Sequence, residues 1–359
     1  MSIHFHKLTV KAIHKETPDA VSILFEVPDD LKKKFSYKQG QNLTVRTFLD
    51  NEEVRRTYSL CSSPLDPEWK VAVKKVEGGL FSCYANEQLK NGDTLEVMEP
   101  VGKFYTKLEP SQKKNYLAVA AGSGITPILS IIKTTLRTEL NSQFTLVYGN
   151  KTRSSVMFFE ELEAIKNKYL ERFTLIHVLS RERTTSPLNF GRINPEKLQA
   201  LNRIIDFSGI DAFFICGPEA LIFTTKDFLE KNGIDKKKIH FELFSTQGPV
   251  KSITRNASAD RPEGAETRIT IQLDGRSFEF GLPLNSETPI LDAALKKGAD
   301  LPYACKGGMC CTCKAKLLEG KVTMDVHWGL EEEELENGFI LTCQSHPDSE
   351  KVVIDFDIK

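Results

Sequence analysis

Residues 305–313 read Cys305-Lys-Gly-Gly-Met-Cys310-Cys-Thr-Cys313, and one further cysteine, Cys343, follows later in the chain. Three of these cysteines stand in the spacing C-x4-C-x2-C, which together with a distant fourth cysteine is typical of one class of [2Fe–2S] cluster. Such a cluster needs four thiolates for its two irons and a short loop that points backbone N–H groups at its sulfurs. The spacing therefore predicts Cys305, Cys310, Cys313 and Cys343 as cluster ligands.

A zinc site is the alternative interpretation of this cysteine loop. Zinc ribbons use pairs of C-x2-C motifs, and only one such pair is present here outside the longer spacing. Cys311 lies inside the loop but off the spacing, so we exclude it as a ligand. Gly307 and Gly308 favour the iron–sulfur interpretation, because glycine permits the tight turns and positive φ angles that a loop around a cluster requires.

The composition gives the broad class of the protein. The chain has 359 residues and a formal net charge of −1, and this length suggests two or three domains. No apolar run is long enough for a transmembrane helix, and the N-terminus, MSIHFHKLTVKAIHKE, lacks the apolar core and cleavage site of a signal peptide. The eight cysteines are not spread as in a secreted disulfide scaffold. We therefore expect a cytoplasmic protein without a membrane segment, and its scattered basic residues do not indicate a nucleic-acid partner.

The first part of the chain, residues 1–107, has the pattern of an antiparallel β-barrel. Short apolar or alternating runs recur there, and turn signals such as Gln39-Gly40 and Gly78-Gly79 separate them. The predicted strands include Leu8–Ala12, Val21–Val27, Asn42–Phe48 and Trp69–Val76.

Residues 108–245 change to alternating apolar strands and amphipathic helices. This rhythm favours an α/β domain with a parallel sheet covered on both faces. The predicted strands are Tyr116–Ala121, Phe144–Tyr148, Phe173–Leu179, Ala212–Cys216 and Ile239–Leu243, and the predicted helices are Ile128–Leu140, Val156–Leu170 and Glu219–Lys231.

Residues 246–265 are rich in Ser, Thr, Pro, Gly, Asn and Ala without an apolar period, and we interpret them as an interdomain linker. Residues 266–359 follow as the last domain and resemble a plant-type ferredoxin, an α+β fold of the β-grasp class. Acidic residues outnumber basic ones in this domain, which is either a solvated face or a surface for a basic partner. Its predicted elements are a hairpin, Arg268–Leu273 and Ser277–Phe280, a helix near Pro289–Lys297 with Ser286 and Thr288 as cap candidates, and a strand near Val352–Phe356.

A flavin site is indicated by Arg56-Thr57-Tyr58-Ser59, at the end of a predicted strand. The tetrapeptide resembles the R-x-Y-[ST] motif of the ferredoxin–NADP reductase superfamily. A tyrosine offers a flat face for an isoalloxazine ring, an arginine offers a rigid fork for a phosphate, and a serine hydroxyl can bond the N5 edge of a flavin. A strand-end arginine and a half-buried tyrosine are also common structural features, so the tetrapeptide alone leaves that alternative open.

A second element supports the flavin site. Two glycines precede Ser82 and would open a helix whose N-terminus can bind a pyrophosphate, as the G-x-x-S element of the superfamily does. A plain Gly-Gly turn with a serine cap is the alternative. We predict FAD as the flavin, and FMN is the less favoured possibility. The predicted flavin-binding residues are Arg56, Thr57, Tyr58, Ser59, Val73, Lys74, Gly79, Leu80, Phe81 and Ser82.

A nicotinamide site is indicated by Gly122-Ser-Gly124-Ile-Thr126-Pro127, between a predicted strand and a predicted helix. The segment is not the Rossmann G-x-G-x-x-G and instead resembles the G-x-G-x-T-P loop of the reductase superfamily. Its glycines let a dinucleotide pyrophosphate approach the backbone, and Pro127 suits a first helical turn.

Cys216-Gly217-Pro218 also ends an apolar strand and opens a helix. In the superfamily such a cysteine lies near the nicotinamide C4, from which the hydride leaves. A buried structural thiol is the alternative interpretation of Cys216.

His240-Phe-Glu242-Leu-Phe244 closes the α/β domain and resembles the H-x-E-x-aromatic terminus of plant-type reductases. The resemblance implies that Phe244 covers the flavin face and that Glu242 supports the nicotinamide site. The chain continues beyond Phe244, whereas plant reductases end there, and an edge strand with one core phenylalanine is the alternative. We predict Ser59, Cys216 and Glu242 as the residues of the hydride step.

Ser180-Arg181 follows the third strand of the α/β domain. An arginine fork matches phosphate geometry, so this pair could hold the 2′-phosphate of NADPH. No acidic residue stands at the end of Phe144–Tyr148, where one would favour NADH. The sequence favours NADPH over NADH, and solvated surface arginines are the alternative.

The number of electrons that each cofactor exchanges sets the order in which the three sites act. A hydride carries two electrons, a [2Fe–2S] cluster accepts one, and a flavin can exchange either number. The whole chain resembles reductases with this domain order, and its GSGITP, LSRE, ICGPE and CKGGMCCTC segments are most similar to those of phenylacetyl-CoA epoxidase reductases. The resemblance implies an oxidoreductase that passes electrons from NADPH through FAD and the cluster to an oxygenase. Reductases of Rieske dioxygenases and of steroid or alkane hydroxylases share this architecture, and a non-enzymatic redox sensor is the alternative of another class.

Overall fold

The computed structural model describes residues 4–244, 266–284 and 286–358. The predicted linker at 246–265 therefore lies outside the described residues. One compact unit holds most of residues 6–244, and a second holds the C-terminal part of the chain. Within the described residues, no helix is both long enough and apolar enough to cross a membrane.

The N-terminal part is a barrel of six strands with one helix. Its elements are β1 (Phe5–Thr17), β2 (Ala20–Glu26), β3 (Asn42–Leu49), β4 (Glu52–Ser59), β5 (Trp69–Lys74), α1 (Leu80–Glu87) and β6 (Thr94–Met98). The strand order is β4-β3-β6-β1-β2-β5, and the pairs β1–β2, β2–β5 and β3–β6 are antiparallel. The sheet closes on itself because Leu60, directly after β4, bridges Val71 of β5. The predicted antiparallel barrel is confirmed.

Alternation along β2 and β5 explains how the barrel can pack on the next domain. Val21, Ile23 and Phe25 belong to the barrel core, whereas Ala20 and Ala72 belong to the core of the α/β domain. Successive side chains of a strand point to opposite faces. Small alanine side chains on the outer face therefore let the parallel-sheet domain approach closely.

The α/β domain has five parallel strands in the order β11-β10-β7-β8-β9. Its elements are β7 (Asn115–Ala121), α2 (Ile125–Thr138), β8 (Gln143–Asn150), α3 (Phe159–Lys168), β9 (Phe173–Leu179), α4 (Pro195–Asn202), β10 (Ala212–Gly217), α5 (Glu219–Lys231) and β11 (Ile239–Leu243). The strand order reverses between β7 and β10, and ligands of such sheets bind at the carboxyl ends of the strands at this switch point. The glycine loop after β7 and Cys216 at the end of β10 both lie there.

Three helices of this domain differ from the sequence prediction. Helix α2 spans Ile125–Thr138, so it begins before Ile128 and ends before Leu140. Helix α3 begins at Phe159, not at Val156, because Val156 is extended and Phe158 is left-handed with φ 58°. The residues from Val156 to Phe158 are buried in the core instead of forming a first turn. Helix α4 was not predicted, although Asn194 accepts a hydrogen bond from Lys197 N and Pro195 occupies the first turn, both of which are helix-start signals.

Helix α2 is fixed against the barrel by buried polar contacts. The Ser130 hydroxyl donates to Ser62 O at 2.6 Å, and the hydroxyls of Ser63 and Thr134 lie 2.8 Å apart. Lys133 Nζ lies 2.9 Å from Asp66 of the barrel. Because α2 begins at the glycine loop, these contacts fix that loop relative to the barrel.

The C-terminal unit is a mixed five-stranded sheet with a helix packed on it. Its elements are β12 (Glu266–Leu273), β13 (Arg276–Pro283), α6 (Ile290–Lys296), β14 (Lys314–Glu319), β15 (Val322–Met324), α7 (Glu332–Glu336), β16 (Phe339–Leu341), β17 (Ser345–Pro347) and β18 (Lys351–Asp355). The order is β13-β12-β18-β14-β16, and only β12–β18 among these pairs is parallel. Pro289, not Ser286 or Thr288, precedes the first turn of α6. The predicted α+β architecture is confirmed.

Candidate functional site

The four predicted cluster ligands come together in two pairs. The thiols of Cys305 and Cys310 are within hydrogen-bonding contact, and so are those of Cys313 and Cys343. Backbone N–H groups of Gly307 and Cys310 point at Cys305 Sγ, at 3.3 and 3.4 Å. The Cys310 thiol and these N–H groups outweigh burial and lower the pKa of Cys305 to about 6. The Cys305 contact and burial raise the pKa of the Cys310 thiol in the same pair, so Cys305 is the thiol of this pair that ionises first.

This arrangement fits two irons better than one zinc ion. Across residues 4–244, 266–284 and 286–358, no three His, Cys, Asp or Glu side chains converge as a single ion would need. Two pairs of thiols can each hold one iron of a [2Fe–2S] cluster. The excluded Cys311 has a different partner, because its thiol donates to Gly329 O at 2.8 Å.

The predicted flavin-binding residues of β4 lie at the carboxyl end of that strand. The Tyr58 ring is partly buried and lies 5.4 Å from the Phe81 ring of α1, while Ser59 is buried. Thr57 Oγ1 is buried and has no hydrogen-bond partner in the described part of the chain. Arg56 is exposed, and its guanidinium donates to the backbone oxygen of the neighbouring Arg55 at 2.7 Å. The Thr57 hydroxyl, which is unpartnered among the described residues, and the exposed Arg56 guanidinium fit the phosphate of a flavin nucleotide, and the half-buried Tyr58 ring fits its isoalloxazine.

The second flavin element places helix α1 directly after β5. Gly79 precedes the first turn, and this turn has no side-chain cap and no acidic residue, so its N–H groups suit a pyrophosphate. Ser82 Oγ accepts from Val76 N at 3.0 Å and closes the turn. Asn86, which sequence reasoning missed, donates to Val73 O and Ser82 O and so joins β5 to α1. Of the remaining predicted residues, Val73 is buried, Lys74 pairs with Asp19 at 3.4 Å, and Leu80 is 48% exposed.

The three predicted residues of the hydride step converge. Cys216 of β10 is the register partner of Glu242 on β11, and Ser59 donates to Glu242 Oε2 at 3.1 Å. Cys216 is fully buried, and burial together with the Glu242 charge raises the pKa of its thiol well above the usual range. This thiol therefore stays protonated, which suits a neutral neighbour for a nicotinamide ring better than it suits a nucleophile.

Asn42 is a site residue that sequence reasoning missed. Its Nδ2 donates to Glu242 Oε1 at 3.4 Å, so that the two carboxylate oxygens each receive one bond from the barrel. Asn42 lies at the start of β3 and Glu242 lies on β11, so no local pattern links the two. Only the packing of the barrel on the parallel sheet brings these residues together.

The glycine loop is in backbone contact with the end of β10. A Cβ atom on Gly124 would lie 2.2 Å from Cys216 O, and Gly217 has φ 155°. Thr126 Oγ1 donates to Ser123 O at 3.1 Å, and Tyr148 donates to Gly122 O at 2.9 Å. The predicted helix-start prolines lie in these same turns, with Pro127 in the first turn of α2 and Pro218 directly before α5. Only glycine at position 124 allows this approach.

The remaining predicted site residues are Phe244, which follows β11, and Ser180 and Arg181, which follow β9. Phe244 follows β11 and packs, partly buried, on the core of the α/β domain. Arg181 is exposed, and its backbone N–H donates to Lys151 O at 2.8 Å, while Ser180 donates to Asn150 O. The segment after β9 therefore runs beside the segment after β8.

An acidic residue lies near the end of β8 in the structure. The sequence shows no acidic residue directly after this strand, but Glu182 accepts a hydrogen bond from Arg153 N at 2.8 Å. Continued pairing beyond the strand ends brings Glu182 there. A cavity of about 810 Å³ lies beside this edge, lined in part by Arg153 and Glu182 and by Lys15 and Glu16 of β1.

Replacing Glu242 by glutamine is expected to slow reduction of the bound flavin by NADPH about a hundredfold, the usual cost of losing one preorganised electrostatic contact. The amide keeps the shape but removes the charge that Ser59 and Asn42 orient. Anaerobic stopped-flow absorbance measures this rate. Glu230→Gln on α5, which removes the charge of a half-buried carboxylate that pairs with Lys226, is the matched control. An unchanged rate in Glu242→Gln would show that the carboxylate is not used.

Three family models match successive parts of the chain. They describe an oxidoreductase FAD-binding domain at residues 7–105, an oxidoreductase NAD-binding domain at 118–227 and a 2Fe-2S iron-sulfur cluster binding domain at 271–348. Each falls on the part of the chain in which the corresponding residues were predicted.

Similar proteins extend over nearly the whole chain. A subunit of the 1,2-phenylacetyl-CoA epoxidase from Escherichia coli (strain K12) is 48% identical over 99% of this chain and 98% of its own. The ferredoxin reductase component of 3-ketosteroid-9-alpha-monooxygenase from Rhodococcus rhodochrous is 36% identical over 97% of this chain and 96% of its own. Among solved structures, phthalate dioxygenase reductase, described as a modular structure for electron transfer from pyridine nucleotides to [2Fe–2S], matches with a TM-score of 0.59 and 25% identity over 98% of both chains.

Proposed function

Because this chain belongs to the family of oxygenase reductases that join FAD-binding, NAD-binding and 2Fe-2S domains, we propose that it is the reductase component of a phenylacetyl-CoA epoxidase. The family consists of oxidoreductases, which sets aside the redox-sensor alternative. The observation that carries the proposal is the convergence of Ser59, Cys216 and Glu242 beside the glycine loop. A cysteine loop with two thiol pairs is present in the same chain.

The residues around the hydride step have separable roles. When bound, the nicotinamide supplies a hydride, the flavin takes it up and releases single electrons, and the cluster carries those electrons onward. Gly124 lets the nucleotide loop approach the end of β10, and Ser59 and Asn42 orient the Glu242 carboxylate. Buried Ser59 and Cys216 help to keep water away from the reacting atoms.

The choice of the epoxidase as electron acceptor is supported by identity. The relative from phenylacetyl-CoA epoxidase is 48% identical, whereas the relative from the steroid monooxygenase is 36% identical. The acidic excess of residues 266–359 fits an acceptor with a basic docking surface. We place the protein in the cytoplasm, because the four cysteines outside the ligand set, Cys61, Cys83, Cys216 and Cys311, are free thiols, which suits a reducing compartment. We also propose domains at 1–107, 108–245 and 266–359, joined by a linker at 246–265.

Reconstitution with a purified epoxidase component tests the acceptor. With FAD and the cluster loaded, we expect NADPH oxidation to be coupled to epoxidation of phenylacetyl-CoA. The oxygenase component of 3-ketosteroid-9-alpha-monooxygenase with its steroid is the matched comparison. Coupled turnover with the steroid oxygenase and none with the epoxidase would overturn the proposed partner and leave the electron-transfer chemistry standing.

Arg181→Ala is expected to raise the KM for NADPH about tenfold and to leave the KM for NADH nearly unchanged, as expected for the loss of one charged hydrogen bond to a phosphate. The physical reason is that the exposed Arg181 side chain lies where the 2′-phosphate is expected, after β9. Initial rates with ferricyanide measure both constants. Arg203→Ala, on the exposed end of α4, is the control. An equal change for both nucleotides would exclude Arg181 as the selecting residue, and Glu182 would become the candidate.

A further inference from the structure

The Gln344 side chain is buried inside the C-terminal unit, directly after the ligand Cys343. It is 2% exposed, and its Nε2 donates to Lys306 O at 2.8 Å and to Cys343 O at 3.1 Å. We propose that Gln344 is a positioning residue that holds the cluster loop and thereby raises the reduction potential of the cluster. The inference deepens the proposed function and rests on its [2Fe–2S] site.

The contact joins the two ends of the ligand set. Lys306 follows the first ligand in the chain, and Cys343 is the last. One amide group bonds the backbone carbonyls of both segments, and because both acceptors are carbonyl oxygens, it is the NH₂ end of the amide that faces them. Gln344 therefore holds together two segments that are far apart in sequence.

The held segment is conformationally strained. Lys306 has φ 50° and Gly308 has φ 75°, and a left-handed lysine needs support from its surroundings. This backbone path is what aims the N–H groups of Gly307 and Cys310 at Cys305 Sγ. The Gln344 stem also packs there, because a Cβ atom on Gly308 would lie 3.2 Å from Gln344 Cγ. Releasing the Lys306 carbonyl would let the loop relax and move these N–H groups away from the sulfur.

Only the NH₂ end of the Gln344 amide has hydrogen-bond partners within the described residues. Gln344 Oε1 is buried and has no hydrogen-bond partner in the part of the chain that the structure describes. An unsatisfied buried acceptor costs free energy, and an apolar side chain of the same length would avoid that cost but would leave the Lys306 and Cys343 carbonyls without this donor. The Lys306 side chain has its own anchor at the rim, an ion pair with Asp292 at 2.6 Å, but this pair is partly exposed and does not bond the loop backbone.

Hydrogen bonds to cluster sulfurs favour the reduced, more negative state and so raise the reduction potential. Gln344→Met keeps the length and apolar stem but cannot donate to Lys306 O. At a fixed ambient potential, we expect the ratio of reduced to oxidised cluster to be about tenfold lower in this variant than in the unchanged protein. For a one-electron couple this corresponds to a reduction potential that is lower by about 59 mV. Gln344→Leu also lacks the donor and adds no charge beside the cluster, so we expect a change in the same direction.

The experiment is a dithionite titration of the full-length, cluster-loaded protein with mediator dyes, read by EPR of the reduced cluster. Thr267→Val is the control, because Thr267 is buried in the same unit and bonds Ser349 O away from the cluster. A purely structural role predicts a lower unfolding temperature with an unchanged potential in both Gln344 variants, and that result would overturn the proposal. If the methionine variant loads little iron, the leucine variant decides. Dithionite bypasses NADPH and the oxygenase, so failure of this inference is distinguishable from failure of the proposed function.

Discussion

Cys343→Ser is expected to abolish electron delivery to the oxygenase while NADPH still reduces the flavin. Cys343 is 3% exposed and pairs with Cys313, so a serine leaves one iron without a thiolate in a site that solvent cannot easily complete. Tyr58, Ser59 and the predicted nicotinamide residues lie in the other compact unit, so hydride transfer to the flavin does not require this thiol. NADPH-dependent reduction of the oxygenase component should fall to background, and ferricyanide reduction should persist.

Cys311→Ser provides the matched control for this experiment. Cys311 lies in the same loop, but its thiol donates to Gly329 O, a bond that a serine hydroxyl can also make. We expect normal iron content and normal electron delivery in this variant. Loss of the cluster in Cys311→Ser with retention in Cys343→Ser would contradict the ligand assignment.

Gly124→Val is expected to eliminate reduction by NADPH while reduction of the same protein by dithionite continues. A Cβ atom at this position would lie 2.2 Å from Cys216 O and 2.7 Å from Gly217 N. Both atoms belong to the backbone, so a rotamer change cannot relieve the overlap, and the glycine loop and the end of β10 must separate. Overpacking of this kind also costs about 1–3 kcal/mol of folding stability.

Single-turnover absorbance separates these effects for Gly124→Val. The flavin should bleach with dithionite and not with NADPH, and thermal unfolding should show a modest decrease. Gly209→Ala in the same domain is the control, since its added Cβ would meet only Asp206 Oδ2 at 3.4 Å. Normal NADPH reduction in Gly124→Val would show that the close approach is not needed for nucleotide binding.

The sequence predicts the elements whose pattern is local. The strands around the glycine loop and Cys216 were predicted because buried parallel strands are continuous apolar runs. The hairpin at Asp274-Gly275 was predicted because Asp-Gly is a favoured two-residue turn, and both residues adopt the positive φ that this turn requires. The cysteine spacing is also local, apart from Cys343, and the motif supplies that ligand.

The residues that were missed depend on tertiary contacts. Asn42 reaches Glu242 only because the barrel packs on β11, and Gln344 reaches Lys306 only because β17 begins beside the cysteine loop. Glu182 lies beside the end of β8 through pairing beyond the strands. The late start of α3 has a similar origin, since burial of Phe158 outweighs the helical periodicity of its segment. Polar partners and segment ends of this kind leave no periodic signal in the sequence.

Anaerobic mixing of the fully loaded protein with one equivalent of NADPH, followed by absorbance and freeze-quench EPR, tests most directly whether one chain divides a hydride into single electrons. We predict that the flavin absorbance falls first and that the EPR signal of the reduced cluster then grows at the expense of the reduced flavin. A flavin that is reduced while the cluster stays oxidised, or a cluster that is reduced without any change in the flavin, would contradict this account.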